Sequence, residues 1–447
     1  MTRLLIVGAG PAGMSAALEA SAQGTCPLVV DNRPEPGGNV YAWAARNAAA
    51  NAALLRRLGK DYVAGGALVR EFLDAAAAGR VRFRASSSLW RLDRDGHFAV
   101  SDAQGTRTGQ AEAVILATGA QERPLPVPGW TLPGVMGVGA AQLLIKAGGR
   151  LPEGGIVIVG AGPLPLLVAG QLHALGHAVA AGVEPAGASR LLTAPASWPG
   201  ALAAPGTALK GLGLLLRRLA ARRPVHRGAR QIAILGTQEA TGIRFVVAGT
   251  ERRIAARTVL LHDGVVPNLN PLAGSGLPLR FAPDQQTWHA APAGRLHVAG
   301  DAGGILGAQA ATLSGRKAAL TALGKPVPAP IARALKRQAA FRRFLDGVYP
   351  PVQIARGAPD ETVICRCEAV TAGEIRAEAA AAGGDPNRLK RALRTGMGPC
   401  QGRMCSHAIA SVLAQDLGRS EGEIGYGRVR SPFLPVSFDA LARSQEA

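Results

Sequence analysis

The chain opens on an apolar run, Leu4-Leu5-Ile6-Val7, which breaks at Gly8-Ala9-Gly10-Pro11-Ala12-Gly13 and resumes after a helix-length segment as Leu28-Val29-Val30-Asp31. A short apolar run bounded by glycine reads as a strand buried on both faces, so strand 3–8, helix 13–23 and a second strand are predicted. The same signals return at Gly155: apolar Ile156 to Val159, a turn over 160–163, a helix to about Ala174, and a strand from Ala178 to Val183. A strand–turn–helix–strand unit of a parallel sheet therefore occurs twice, about 150 residues apart. Between the two, Arg82 to Val100 alternates as a β-ribbon does and leads into the run from Ala113 to Gly119. Leu296-His297-Val298-Ala299-Gly300-Asp301 supplies a further strand and turn. Gly324, Lys325 and three prolines mark a linker over 324–331, and about 360–415 form a compact helical segment that carries cysteines. The predicted fold class is α/β, two Rossmann-like dinucleotide-binding domains followed by a small helical C-terminal domain.

The two glycine turns carry specific chemistry. In the first, Gly8 permits the tight turn, Gly10 lets the backbone approach a pyrophosphate, and Gly13 lets helix and strand pack closely. Pro11 and Ala12 open the helix, whose free N–H groups face the phosphates. Asp31 stands 23 residues after Gly8, with Asn32 beside it and Gly38 in the next loop, where a carboxylate can accept ribose hydroxyls. The second turn, Gly160-Ala161-Gly162-Pro163-Leu164-Pro165, has proline where the third glycine belongs. Proline is tolerated in a first helical turn, where its missing N–H would be unpaired. Glu184 lies 24 residues after Gly160 and would disfavour a 2′-phosphate, so this site reads either as one for NAD or an adenine nucleotide, or as a vestigial fold.

Four of the five cysteines cluster late in the chain, as Cys365-Arg366-Cys367 and as Cys400 with Cys405, with 32 residues between the pairs. Four thiolates hold a [2Fe–2S] cluster or zinc, and the C-x-C pair is awkward for a zinc knuckle. Glycines 396, 398 and 402 would let backbone N–H groups reach the sulfurs. Cys26 reads as a buried core thiol, and His407 as a surface residue rather than a ligand. No cysteine lies between residues 27 and 364, which excludes a thiol–disulfide mechanism beside the first nucleotide.

Composition changes this picture little. Hydrophobic residues make up 48% and charged residues 18%, a globular balance. The net charge of +20 comes from scattered arginines, which argue against a nucleic-acid face and would suit an acidic partner subunit. The most apolar stretch, 156–172, is interrupted by Gly160, Gly162, Pro163 and Pro165 and is no membrane span, and the start shows no signal peptide; a cytoplasmic chain is expected.

Gly8–Gly13, Thr118-Gly119 and Ala299-Gly300-Asp301 together resemble the three markers of the two-dinucleotide flavoprotein reductases, of glutathione-reductase-like fold. That resemblance implies FAD in the first site, with Asp301 at the ribityl–phosphate region. It divides the chain into an FAD-binding domain (1–120 and 285–335), a second dinucleotide-binding domain (121–284) and a C-terminal [2Fe–2S] domain (336–447). The runs from Ala117 to Arg123 and from Pro128 to Met136, Ile364 to Glu368, Gly396 to Cys405, and Pro435-Val436-Ser437-Phe438 resemble the FAD subunit of the hydrogen cyanide synthase, opine oxidase and D-hydroxyproline dehydrogenase group. In that group a partner flavoprotein, the β-type subunit, oxidises an amine or glycine-type substrate, and the subunit like this one passes electrons on. A small third subunit, and a respiratory-chain acceptor on the inner face of the membrane, are compatible with that arrangement. Pro165 and His262-Asp263-Gly264 depart from the pattern. A free-standing NADH-dependent reductase and a nucleotide-sensing regulator with structural zinc are the competing readings. No catalytic side chain is assigned, and the resemblance does not choose the substrate.

Overall fold

A computed structural model describes residues 2–148, 154–186, 198–220 and 223–446. Two parallel sheets share one plan. In the first, Arg82–Arg84, Leu28–Val30, Thr2–Val7, the end of Gly105–Leu116, and Leu296–Val298 lie side by side, all parallel. Leu4, Leu5 and Ile6 are fully buried, as an apolar run covered on both faces requires. The first half of Gly105–Leu116 turns away to pair antiparallel with His97–Asp102, which pairs with Ser88–Leu92. The ribbon expected over 82–100 is thus divided: Arg82–Arg84 joins the parallel sheet, where Phe83 packs edge-on against Phe72 of the helix Lys60–Ala77, and the ribbon begins at Ser88. The final strand, Ser444–Glu446, runs beside Thr106–Thr108.

The second sheet repeats the order with Val225–Arg227, Val179–Glu184, Ile156–Val159, Thr258–Leu261 and Val135–Gly137, again all parallel. Its antiparallel companion is the meander Arg230–Leu235, Gly242–Val247 and Thr250–Ala255. In each domain the strand before the glycine turn lies mid-sheet, so the turn opens at the carboxyl edge where such sheets take ligands.

The helix after the first turn, Pro11–Ala22, packs on Ala308–Ala322. Contact is so close that a methyl group at Gly315 would lie 2.0 Å from the Ala12 carbonyl oxygen. After the long helix Ala329–Val348 come the hairpin Val363–Cys365 with Val370–Thr371 and the helices Ala372–Ala379, Pro386–Leu393 and Ser406–Asp416. Thr371 and Glu374 form a reciprocal capping box on the first of these. This segment is not an isolated bead: Ile364, Ile375, Leu389 and Leu413 share a core with Leu269 and Trp288 of the body. No helix among the described residues is long and apolar enough to cross a membrane.

Candidate functional site

The glycines of the first turn divide by what surrounds them. Gly8 has φ +102°, and a methyl group there would sit 2.4 Å from the Ala117 oxygen; one at Gly13 would sit 1.7 Å from the Gly8 oxygen. Both are fixed by the protein's own packing. A methyl group at Gly10 would meet nothing nearer than the Gly38 Cα, 3.8 Å away. Packing therefore does not demand a glycine at 10, and the bare backbone there suits a cradle for phosphate. Pro11 takes the first helical position, leaving the Ala12 and Gly13 N–H groups at the open end of the helix.

Asp31 closes the other end of the turn. Its Oδ2 accepts from the Ala9 N–H at 2.6 Å and its Oδ1 from the Arg33 N–H at 2.8 Å. Burial pushes the Asp31 carboxyl above its ordinary value, and those N–H groups and the Arg33 charge oppose the rise. Arg33 also donates to the Gly38 carbonyl at 3.2 Å and to the Asn39 side chain, so one arginine fixes the loop that faces Gly10. Asn32 follows Asp31 directly, beyond the strand end. Asp301 accepts at Oδ1 from the Leu306 and Gly307 N–H groups, at 3.0 and 3.2 Å, and burial raises its carboxyl as well. Gly300 lies against Ala12, which brings Asp301 to the first turn's helix. Thr118 and Gly119 are held by Asn268: its N–H donates to the Gly119 oxygen at 3.0 Å, while its own side-chain oxygen is buried without a partner.

The cysteines come together as a chain of sulfur contacts. The Cys405 thiol is within hydrogen-bonding reach of both Cys365 and Cys400, and Cys400 is within reach of Cys367. Hydrogen bonding from Cys405 pulls Cys365 down to about 6 and Cys400 down to about 5, and Cys405 itself is driven well upward in return. Cys367 is raised by burial. Backbone N–H groups of Gly396 and Glu368 point at the Cys365 sulfur, and those of Met404 and Gly402 at that of Cys400. Among the described residues no three His, Cys, Asp or Glu groups close round a single ion. Four thiols with backbone amide donors aimed at two of them suit an iron–sulfur cluster. Cys365 and Cys405 are buried and Cys367 is exposed, so the set has an inner and an outer edge.

Three hydrogen bonds fasten this set to the rest of the protein: Gln121 Nε2 donates to the Arg403 carbonyl at 2.5 Å, Asn270 Nδ2 to the Gln401 carbonyl at 2.7 Å, and the Trp130 indole to the Val363 carbonyl at 2.7 Å. Trp130 lies in a motif visible in the sequence. Gln121 also lies in such a motif, the run Ala117 to Arg123, whereas Asn268 and Asn270 carry no sequence signal, because their partners are remote along the chain.

Two expectations are corrected. His407 is buried, not superficial: its Nε2 is hydrogen-bonded to Thr287 Oγ1 at 2.9 Å, and its ring packs on Trp288 and Tyr426, because the first turn of Ser406–Asp416 faces the body. Cys26 is exposed, in the loop before Leu28–Val30, with its Sγ near the Gly79 carbonyl at 3.5 Å.

At the second turn, Gly160 is fixed by packing against the His262 carbonyl, as Gly8 is against Ala117, and Gly162 has φ +131°. His262 Nδ1 donates to Glu122 at 2.7 Å. Glu184, the expected ribose acceptor, is engaged instead: Arg218 lies 2.7 Å and Arg227 3.3 Å from its carboxylate.

Residues 2–315 match the pyridine nucleotide-disulphide oxidoreductase family, and residues 363–415 match the BFD-like [2Fe-2S] binding domain. The opine oxidase A-subunit of Agrobacterium tumefaciens (strain Ach5) is 40% identical, over 98% of this chain and 91% of its own. The HcnB subunit of the hydrogen cyanide synthase of Pseudomonas aeruginosa is 34% identical, over 98% of each chain. In fold, L-proline dehydrogenase from P. horikoshii matches 98% of this chain and 79% of its own, with a TM-score of 0.70 at 20% identity.

Proposed function

This chain belongs to the pyridine nucleotide-disulphide oxidoreductase family, together with the opine oxidase A-subunit and the HcnB subunit of hydrogen cyanide synthase, and from that premise we propose that it is the electron-transferring FAD and [2Fe–2S] subunit of a heteromeric dehydrogenase whose amine-oxidising site lies in a partner flavoprotein. The FAD is held by Gly8, Gly10, Ala12, Gly13, Asp31, Gly38, Thr118, Gly119 and Asp301, and the cluster by Cys365, Cys367, Cys400 and Cys405. When bound, FAD exchanges electron pairs and the cluster single electrons.

One observation supports this reading most. Gln121, two residues beyond Gly119, donates to the Arg403 carbonyl inside the Cys400–Cys405 loop. The short strand Ala120–Glu122, just beyond Thr118-Gly119, thus contacts the cysteine loop, and the exposed Cys367 lies at the outer edge of the thiol set. A relay with an inner and an outer side needs a donor and an acceptor. Subunit names among the relatives place such chains in assemblies. Oxidising an amine also needs a substrate carboxylate clamped over the flavin, commonly by arginine. Arg33, the arginine of the first cradle, is committed to Gly38 and Asn39.

The test is reconstitution. The isolated holo chain is expected to reduce no dye with opines, D-hydroxyproline or glycine, and a flavoprotein that copurifies with the native protein is expected to restore amine-dependent turnover. Robust turnover by the isolated chain would overturn the proposal.

A further inference from the structure

The family's name implies a pyridine nucleotide at the second glycine turn, and the residues there do not fit one. The first obstacle is donor count. In the first turn Ala12 and Gly13 offer N–H groups; in the second, Pro163 and Pro165 occupy two of the first three helical positions, and Leu164 alone has an N–H. Relative to the first turn, Pro165 removes the free N–H that Gly13 leaves there. The second obstacle is Glu184. A ribose would have to displace Arg218 and Arg227 from a carboxylate that is largely buried.

The third obstacle is the chain itself. A cavity of about 140 Å³ remains at the turn, with Gly162, Leu164 and Ala186 on one wall and Tyr349, Pro350 and Val352 on the other. Sites for drug-sized ligands run to roughly 300–1,000 Å³, and a dinucleotide is larger than most such ligands. The covering segment is latched at both ends. At one, Asp346 accepts from Gln285 at 2.8 Å and pairs with Arg342 at 2.6 Å. At the other, the Val352 N–H donates to Asp263 Oδ1 at 2.7 Å, and Asp263 is buried against Arg123. Burial, with the negative charge of Glu184 as a smaller contribution, raises the Tyr349 phenol. Tyr349 and Gly162 line the same cavity.

We propose that this second dinucleotide fold does not take NAD(H): the chain's own segment Leu345–Val352 fills its cradle, and the fold serves as the seat for the linker to the iron–sulfur segment. The inference deepens the proposed function, since a subunit closed to nicotinamide must draw its electrons from a protein donor.

The test is titration of the holo chain, FAD and cluster loaded and without partner, with NAD⁺, NADH and ATP. No saturable heat is expected from any of the three up to about 1 mM, and no anaerobic bleaching of the flavin by NADH. In Tyr349→Ala/Pro350→Gly/Pro351→Gly the seat opens, and ATP is expected to bind about tenfold more tightly than to the parent. Should that variant not fold, Tyr349→Ala alone keeps both prolines and is expected to move ATP affinity in the same direction. Micromolar binding of NADH by the parent overturns the closure, and equal affinities in parent and folded variant overturn the role given to the segment. Neither result bears on amine turnover with the partner, so the two proposals fail separately.

Discussion

Asn270 and Gln401 are 131 residues apart in sequence, yet the Asn270 side-chain amide donates to the Gln401 carbonyl at 2.7 Å. The other end of the same amide accepts from the Tyr426 hydroxyl at 3.1 Å. Gln401 has a left-handed backbone, φ +51°, one residue after Cys400, so its carbonyl direction sets the path of the cysteine loop. Two residues upstream, Asn268 holds Gly119. A three-residue stretch therefore touches both redox regions.

Asn270→Ala is expected to lower stability by about 1–3 kcal/mol, since it leaves the Gln401 carbonyl and the Tyr426 hydroxyl without their partner. Its more telling effect is local. Iron per flavin should fall while FAD is retained, as read from acid-labile sulfide and the visible spectrum. Asn270→Asp should behave alike, because a carboxylate cannot donate to the Gln401 carbonyl. An unchanged iron-to-flavin ratio in both would count against the anchoring role.

The first glycine turn offers a contrast between ligand and packing. Gly10→Val should give a folded protein without FAD, for its side chain meets no protein wall and projects into the phosphate cradle. Gly13→Ala should fail to fold or lose several kcal/mol, since its methyl group overlaps the Gly8 carbonyl at 1.7 Å. Circular dichroism and flavin content separate the two; flavin retained by a folded Gly10→Val protein would contradict the cradle.

Much of this is legible in the sequence because it is local. The strand–turn–helix units appear with the expected glycines, and Gly396 and Gly402 direct their N–H groups at sulfurs as their spacing implies. What escapes is what long-range packing decides. Phe83 reads as a ribbon residue until Phe72 is seen to hold it on the parallel sheet. His407 looks superficial because no pattern announces Trp288 and Tyr426 across from it. Pro165 is visible, and local rules speak only of helix tolerance; its cost lies in the missing donor and in Tyr349, more than 180 residues away.

Lys146 gives a pH test. It is buried, and its Nζ donates to the Asn39 and Val40 carbonyls at 2.9 Å and to Gln142 at 3.0 Å, joining the second domain to the first cradle's loop. Burial, aided by Arg33, lowers it from 10.5 to about 7. Between those values the unfolded chain binds more protons than the folded one, so this residue makes stability rise with pH; below pH 7 both states are charged and the contribution is flat. Relative to Lys146→Met, the parent should gain about 2 kcal/mol between pH 7 and 9 in urea denaturation. A constant difference across that range would show that the ammonium stays charged in its place.

The outer edge of the thiol set can be disturbed without altering a sulfur. A methyl group at Gly398 would lie 2.3 Å from the Cys367 Cβ, so Gly398→Ala must push Cys367 away from Cys400. Cys367→Ser removes the same ligand directly, and Cys400→Ser removes its neighbour. All three should lose the charge-transfer bands of the cluster and keep the FAD spectrum, because the glycine turn at Gly8–Gly13 is built from other elements. With the partner flavoprotein present, anaerobic mixing with substrate should still reduce the partner's flavin at the parent rate. Passage to an external acceptor should fall by at least about tenfold, since the relay loses its outlet while the donor chemistry is untouched. Equal losses in both half-reactions would mean that the cysteine segment supports assembly rather than electron passage, and unchanged acceptor turnover in Cys367→Ser would remove the cluster from the route.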